Sequence, residues 1–506
     1  MEYKLHSLLR SSGLNIPKTL HNPIIKSITC DSRKVRKNSL FIAINGQNVD
    51  GCQFLKEAFS AGAAAAIVSR ESSSLNLLKT NETVLVLDGS IEKIAGEIIS
   101  NFWGRPSEKF SLIGITGTNG KTTIAYLIEY LSTSLGTPTA LFGTLVNKWP
   151  NYEEPSNLTT SLAEDLHENF AVALKTGISL AVMEVSSHSL SQSRVSGCYF
   201  SGAIFTNLTQ DHLDYHLTME KYFKAKSLLF EEPYLNKNVA KIIINIDDKW
   251  GQKLSKKLNN KCWKSTLDPQ KVKDFKAELY MSNIVFNRQG ATGEISTPYG
   301  KSKFTTPLIG KFNLMNLLQA IGSMLQHGFS LQPLLEEVSR FPGVPGRMNL
   351  IDVDQGLKDK KLPTVIVDYA HTPDALRNTL GELRRIFKKG KLICVFGCGG
   401  DRDIKKRPLM GKIASNISDF VVVTSDNPRN EDEMKIILEI MSGIENKQDT
   451  LIEVNRLKAI KIAIDKAEVN DTILIAGKGH ENYQIIGDKK IFFDDNIFVK
   501  NILETK

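Results

Sequence analysis

The chain has 506 residues, 41% of them hydrophobic and 24% charged, a balance that excludes a disordered or low-complexity polypeptide and fits a globular protein of about three domains. A formal charge of +9 suits anionic ligands such as nucleotides and polycarboxylates, with a solvated lysine-rich surface as the equal alternative and no nucleic-acid-binding module in view. No apolar run approaches the ~18 residues of a membrane helix, the opening Met1-Glu2-Tyr3-Lys4 lacks a signal-peptide core, and Cys30, Cys52, Cys198, Cys262, Cys394 and Cys398 have no C-x-x-C spacing, so a cytoplasmic enzyme with reduced thiols is expected, without zinc site, disulfide framework or membrane insertion.

In chain order, Gly104-Arg-Pro-Ser-Glu-Lys109 and Phe341-Pro-Gly-Val-Pro-Gly-Arg347 interrupt the periodic segments and divide the chain at about 1–107, 108–345 and 346–506. After the first break, Ser111 to Ile115 reads as a strand. Ile124, Leu127, Ile128, Leu131 and Leu135 then recur at helical spacing. Between them lies Gly114-Ile-Thr-Gly-Thr-Asn-Gly-Lys-Thr-Thr123, whose glycines permit close backbone approach to phosphate at a helix N-terminus. Lys121 can reach β- and γ-phosphates and Thr122 can ligate Mg²⁺. The strict phosphate-loop pattern requires glycine where Ile115 stands, so the loop is a variant, or else a plain strand-to-helix turn. Leu180 to Val185 is a second strand pattern, and Glu184 near its end can hold Mg²⁺ across from Thr122. Asn207 to His216 is dense in potential ligands, led by Asp211 and His212. Lys226 falls on the apolar stripe Met219, Tyr222, Phe223, Leu229, Phe230; burial would leave a neutral, reactive amine, and a snorkelling side chain is the alternative. Asp247 to Lys276 is lysine-rich and reads as a surface excursion. The last segment alternates strand runs (Thr364–Val367, Ile393–Phe396, Phe420–Val423, Thr472–Ile475) with one-faced helical patterns. That predicts an α/β parallel sheet with the loops at 368–371, 397–402, 426–429 and 477–481 along one rim.

Nine motifs in order carry a family resemblance: Asp31-Ser-Arg33, Gly46 with Asp50-Gly51, Gly117 to Thr123, Glu184-Val-Ser-Ser-His188, Asp211-His-Leu-Asp-Tyr-His216, Gly346-Arg-Met348, Asp368 to Asp374, Gly397 to Arg402 and Asp426-Asn-Pro-Arg429. Over nearly its whole length the chain resembles a Mur ligase, most closely the branch that adds a diamino acid to UDP-N-acetylmuramoyl-L-alanyl-D-glutamate. The resemblance implies three domains: an N-terminal UDP-binding α/β domain, a central ATPase-like parallel-sheet domain and a C-terminal Rossmann-like domain that closes over the site. It further implies that ATP phosphorylates a carboxylate and an amine displaces phosphate from the acyl phosphate, as a step in peptidoglycan precursor synthesis. Small-molecule substrates, no nucleic acid and a monomer are expected.

The resemblance assigns residues position by position. Gly117, Thr118, Asn119, Gly120, Lys121, Thr122 and Thr123, with Asn313, Asn316, Arg347 and Asp368, match the ATP contacts. Ser32, Gln47, Asn48 and Val49 match the uridine contacts, and Thr159, Thr160, Ser186, Gln192 and Arg194 match the muramoyl-dipeptide contacts, although Leu158 replaces the asparagine usual before the Thr-Thr pair. Lys121, Glu184, His212 and Lys226 match the catalytic set. Lys226 as a carbamate, with Thr122, Glu184 and His212, would ligate Mg²⁺. Arg402, Asp426, Asn427, Pro428, Arg429, Gly477 and Glu481 match a pocket for meso-2,6-diaminopimelate, whose distal carboxylate suits a guanidinium fork. A lysine-adding ligase, a folylpolyglutamate synthetase and an inactive nucleotide-binding scaffold are the alternatives.

Overall fold

In the computed structural model, which describes residues 1–44, 49–72, 82–235, 241–259, 261–287, 289–351 and 362–506, the run after the first break is the strand Ser111–Thr116, followed without a gap by the loop and the helix Lys121–Ser134. The chain forms two compact units. One comprises Met1–Tyr280, Ser296–Gly300 and Met315–Leu334; the other comprises Met281–Ile295, Lys301–Leu314 and Leu335–Lys506.

The first unit contains a parallel N-terminal sheet and a larger, mixed one. The N-terminal one orders Ser27–Thr29, Ser39–Ile42, Ala63–Ser69 and Val84–Leu87 side by side. Its one face buries Leu40, Ile42 and Ile67 against Leu5, Leu8 and Leu9 and against Ala95, Ile98 and Ile99 of the helix Ile91–Phe102. The centre of the larger sheet runs Thr139–Phe142, Leu180–Glu184, Ser111–Thr116, Gly202–Phe205, Lys241–Asn245, Trp263–Thr266, these six all parallel, and the antiparallel Val146–Trp149 and Tyr152–Pro155 extend it beyond Thr139–Phe142. Ser111–Thr116 is flanked on both sides and reads as an unbroken apolar run because both of its faces are covered. Glu184 stands opposite Ile115 in register, so the carboxylate and the phosphate loop leave the sheet at the same edge.

The lysine-rich stretch from Asp247 to Lys276 is part of the core rather than a surface excursion. Trp263–Thr266 is a sheet strand in which Ser265 and Thr266 are fully buried. The helix Lys249–Lys257 buries Trp250 and Leu254, and Leu258 follows one turn on. Three apolar residues at i, i+4 and i+8 suffice to dock a helix whose remaining positions are charged.

In the second unit the strands order Asn349–Leu350, Thr364–Asp368, Thr472–Ala476, Leu392–Phe396, Phe420–Val423, Thr450–Ile452, with all but the first neighbours parallel. The last strand in sequence inserts beside the first long one. Helices Pro373–Ile386, Lys406–Ile417 and Glu433–Met441 pack on one face, and Arg456–Lys466 and Asp495–Thr505 on the other. The expected strand–helix alternation and its rim of polar loops are therefore present.

Candidate active site

Gly117 and Gly120 of the phosphate loop hold φ of +146° and +89°, conformations closed to most side chains. A Cβ on Gly117 would collide with the Thr206 hydroxyl, and one on Gly120 with the side-chain amide of Asn316. Lys121 Nζ donates to the carbonyls of Gly117 and Thr118, 3.0 and 2.9 Å away, so the ammonium is folded back over its own loop. Thr206 Oγ1 and Asn207 Nδ2 donate to Asn119 O at 2.6 and 3.2 Å, and Asn119 N donates to Asn207 Oδ1 at 2.9 Å, bracing the turn from the next strand end. Asn313, on the same helix as Asn316, donates to Ile309 O at 2.9 Å; both asparagines are buried.

Glu184 is fully buried and accepts three hydrogen bonds: from Thr122 Oγ1 at 3.0 Å, Thr144 Oγ1 at 2.9 Å and Thr144 N at 2.8 Å. Thr144 escaped the sequence reading; its signal was only Gly143, where a Cβ would lie 2.6 Å from Glu184 Oε1. Thr122 and Glu184 thus form a pair of hard oxygen donors at the mouth of the loop, the chemistry that Mg²⁺ takes. Among the described residues no group of three or more His, Cys, Asp or Glu is arranged to hold a metal. Lys226 is 2% exposed and its Nζ donates to Gly117 O at 2.8 Å, with the Tyr222 ring 4.7 Å away. Burial, and then the nearby Lys121 charge, push this amine well below the usual lysine range, which fits a residue that can react as the neutral form. His212 is half exposed, at φ +52°, with its ring 4.8 Å from His188 and 6.2 Å from Tyr222. His188, Tyr215 and His216 complete that ring cluster. Burial, and then His212 and His216, bring the His188 imidazole down to about 4.

The residues matched to the muramoyl-dipeptide converge beside Glu184. Thr160 Oγ1 donates to Glu184 O at 2.9 Å and accepts from Ser186 N at 3.0 Å; Thr159 Oγ1 lies 3.2 Å from Thr144 Oγ1. Arg194 donates to Thr160 O at 3.4 Å, and Gln192 reaches the Tyr215 hydroxyl at 3.4 Å. Leu158 is exposed. Ser32 lies 3.4 Å from Glu57 Oε2, Val49 is exposed, and Gln47 and Asn48 fall outside the described residues. Glu164, unnoticed in the sequence, ties these regions together: its carboxylate accepts from Cys30 N at 2.7 Å and Thr29 Oγ1 at 3.0 Å, next to Ser32, from the first turn of the helix that follows Thr160.

In the second unit, Asp368 is buried and accepts from Met348 N at 2.7 Å, Ala370 N at 3.0 Å and Thr379 Oγ1 at 3.2 Å; burial pushes its carboxyl up. The Arg347 guanidinium stacks on Tyr369 at 4.5 Å. Arg402 is exposed and Arg429 half buried, and they flank the Gly399-Gly400 turn. Arg429 Nη1 donates to Gly400 O at 2.8 Å, while Arg402 Cγ lies 3.8 Å from where a Gly399 Cβ would be. Arg429 itself is at φ +52°, held by Arg429 N donating to Ile485 O and Gly487 N donating to Arg429 O. Buried Asp426 lies so close to Gly477 (φ +113°) that a Cβ there would come within 2.5 Å of its carboxylate. Asn427 Nδ2 donates to Glu481 Oε2 at 2.7 Å. Pro428 completes the turn, its carbonyl against Gly400.

A glycine-rich phosphate loop at the carboxyl edge of a parallel sheet, faced by a buried carboxylate on the adjacent strand, defines a nucleotide-phosphate-handling α/β protein. Family models match three stretches: the Mur ligase family catalytic domain at residues 24–103, the Mur ligase middle domain at 115–324 and the Mur ligase glutamate ligase domain at 346–479. The chain belongs to the Mur ligase family. It is 50% identical to a UDP-N-acetylmuramoyl-L-alanyl-D-glutamate--2,6-diaminopimelate ligase of Prochlorococcus marinus strain NATL2A over 100% of this chain and 99% of that one. It is 45% identical to the ligase of that name from Trichormus variabilis over 97% of each chain. A solved structure of a ligase of the same name superposes with a TM-score of 0.72 at 32% identity, covering 100% of this chain and 99% of that one. A folylpolyglutamate synthase from Mycobacterium tuberculosis, at 18% identity and a TM-score of 0.57 over 75% of this chain and 91% of its own, shares the fold.

Proposed function

We propose that this chain joins meso-2,6-diaminopimelate to the D-glutamate carboxyl group of UDP-N-acetylmuramoyl-L-alanyl-D-glutamate, with ATP as the phosphoryl donor, and that its domains are about 1–107 for the UDP end, 108–345 for ATP and 346–506 for the amino acid. A carboxylate is a poor electrophile; transfer of the γ-phosphoryl group to it creates an acyl phosphate, which the amine then attacks to release phosphate. Lys121, once drawn off the Gly117 and Thr118 carbonyls by nucleotide, offsets charge on the transferring group. Thr122 and Glu184 would hold Mg²⁺, which when bound supplies further neutralisation of the phosphates. Lys226 as a carbamate would turn a donor into an anionic oxygen ligand; its burial and depressed basicity favour that chemistry. Ser32, Gln47, Asn48 and Val49 are assigned to uridine, and Thr159, Thr160, Ser186, Gln192 and Arg194 to the muramoyl-dipeptide.

The observation that carries the choice of amino acid is the pairing of charges at one rim: Arg402 and Arg429 around the Gly399-Gly400 turn for a distal carboxylate, and Asp426 and Glu481 beneath for ammonium groups. L-Lysine lacks the distal carboxylate and would leave Arg429 without its partner. Phosphate release measured with ATP, Mg²⁺ and the UDP-muramoyl-dipeptide tests the reading. Diaminopimelate is expected to drive turnover at least about 100-fold better than lysine, as for loss of a charged recognition contact. Equal rates, or release with neither, would overturn it.

A further inference from the structure

The loop Gly477–Glu481 contains a lysine that no step above uses. Lys478 has a side chain with no exposed surface, an unusual place for an ammonium group, which is strongly hydrated and is buried only where partners replace its water. Its Nζ donates to Asn427 Oδ1 at 3.1 Å, lies 3.4 Å from Glu481 Oε2, and stands 5.6 Å over the Tyr483 ring. Asn427 Oδ1 also accepts from Ile485 N at 3.0 Å. Both lone pairs of that oxygen are therefore engaged, which fixes the amide the other way round: Nδ2 has to face Glu481, and does so at 2.7 Å. Two N–H donors thus reach Glu481 Oε2 from inside. Among the described residues none donates to Oε1, which keeps its lone pairs for an incoming ammonium group.

We propose that Lys478 is a positioning residue for amino-acid recognition, holding Glu481 as a carboxylate and setting the orientation of the Asn427 amide without touching substrate. The inference rests on the assignment of Glu481 to the amino acid. Burial raises the Glu481 carboxyl and the Asp426 charge adds to that, while Lys478 and the Asn427 hydrogen bond oppose both. Asp426, Arg456, Asp495 and His480 also face Lys478, whereas Tyr369, Tyr483 and Arg456 also sense Glu481. With Lys478 removed, only the Asn427 hydrogen bond opposes burial and the Asp426 charge, and the balance moves toward the protonated acid, which cannot attract an ammonium ion.

The test is the KM for diaminopimelate between about pH 4.5 and pH 9, alongside the KM for ATP, in full-length Lys478→Met, Lys478→Arg and Glu481→Gln. For Lys478→Met the acid limb of the KM profile is expected to move up by about one pH unit, so that KM rises up to about tenfold on the acid side of that limb and the difference shrinks as pH rises, with the ATP KM unchanged. Arginine in place of lysine should restore most of the loss. A KM increase independent of pH, an equal rise for ATP, or no change overturns the proposal. Should the methionine variant fail to fold, Asn427→Asp takes its place, because a second carboxylate competing for Lys478 must also raise the acid limb; no shift there counts against the idea equally. Glu481→Gln separates the two levels. If it leaves the diaminopimelate KM unaltered, the assignment of Glu481 is wrong; if it raises KM while Lys478→Met does nothing, only the role of Lys478 falls.

Discussion

At the scale of single residues, the charged side chains that matter most are those hidden from solvent. Arg407 is completely buried, donating to Glu431 at 2.8 and 2.9 Å, to Glu439 at 2.6 Å and to Gly399 O at 3.1 Å. Glu431 accepts from Asp401 N as well, so this arginine braces the two turns that carry Arg402 and Arg429. The Arg407 fork, and then the Asp401 amide, hold the Glu431 carboxyl down at about 2 against an ordinary 4.5. The folded pKa lies below the unfolded one, so the stabilisation is complete above the unfolded value and is lost as pH falls toward 2. Glu431→Gln is therefore expected to cost on the order of 2 kcal/mol at neutral pH, as for a hydrogen bond to a charged group. In thermal melts the gap from the parent chain should narrow steadily below about pH 4.5; a gap constant from neutral to acid pH would show that the charge pair contributes nothing. Neither Arg407 nor Lys478 was legible in the sequence, since each follows a glycine-rich turn where a lysine or arginine reads as solvated. Lys226 was legible because it interrupts an apolar stripe of helical period, and that pattern, unlike a turn, states which way a side chain faces.

Among the elements, close approach rather than apolar area fixes how the N-terminal layer meets the larger sheet within the first unit. The helix Ile91–Phe102 contacts the loop at Ser196 and Gly197 through Gly96, where a Cβ would stand 2.5 Å from Ser196 Cβ and O, and Ser100 Oγ donates to Gly197 O at 2.9 Å. Two effects oppose each other in Gly96→Ala. Helix propensity favours alanine by about 1 kcal/mol, while forcing a methyl group into a filled contact costs about 1–3 kcal/mol. Because the obstructing atoms include backbone, overpacking is expected to win, and the melting temperature of the variant should fall; a rise would mean that the loop yields freely. Elements of this kind set the limit on sequence reading. The strands Ser111–Thr116, Leu180–Glu184 and the four long strands of the second unit were legible because buried parallel strands are short apolar runs bounded by glycine or charge. Trp263–Thr266 was not, since Lys264 sits within it. That lysine is accommodated because its Nζ donates to Phe275 O at 2.8 Å and lies 3.9 Å from Glu278 Oε1, tertiary contacts with no local signature.

For the whole molecule, the distribution of assigned residues over the two units has a thermodynamic consequence. Each unit buries its own apolar clusters, the first around residues such as Phe170, Phe200 and Ile244, the second around Leu380, Phe396, Ile440 and Leu474 on one face of its sheet and Val395, Ile460 and Ile475 on the other. Separate cores of this size unfold as separate cooperative blocks, so calorimetry should give more than one transition and a calorimetric enthalpy above the van't Hoff value. The muramoyl-dipeptide set Thr159, Thr160, Ser186, Gln192 and Arg194, together with Ser32, lies wholly in the first unit, and Arg402, Asp426, Asn427, Arg429, Gly477 and Glu481 lie wholly in the second. A ligand stabilises only the block that binds it, by about 2.7 kcal/mol at 100 times its dissociation constant. UDP-N-acetylmuramoyl-dipeptide alone should then raise one transition and diaminopimelate alone the other, with Arg429→Lys abolishing the second shift and leaving the first. If both ligands moved the same transition, or if Arg429→Lys weakened both shifts alike, the division of substrates between the two units would be wrong.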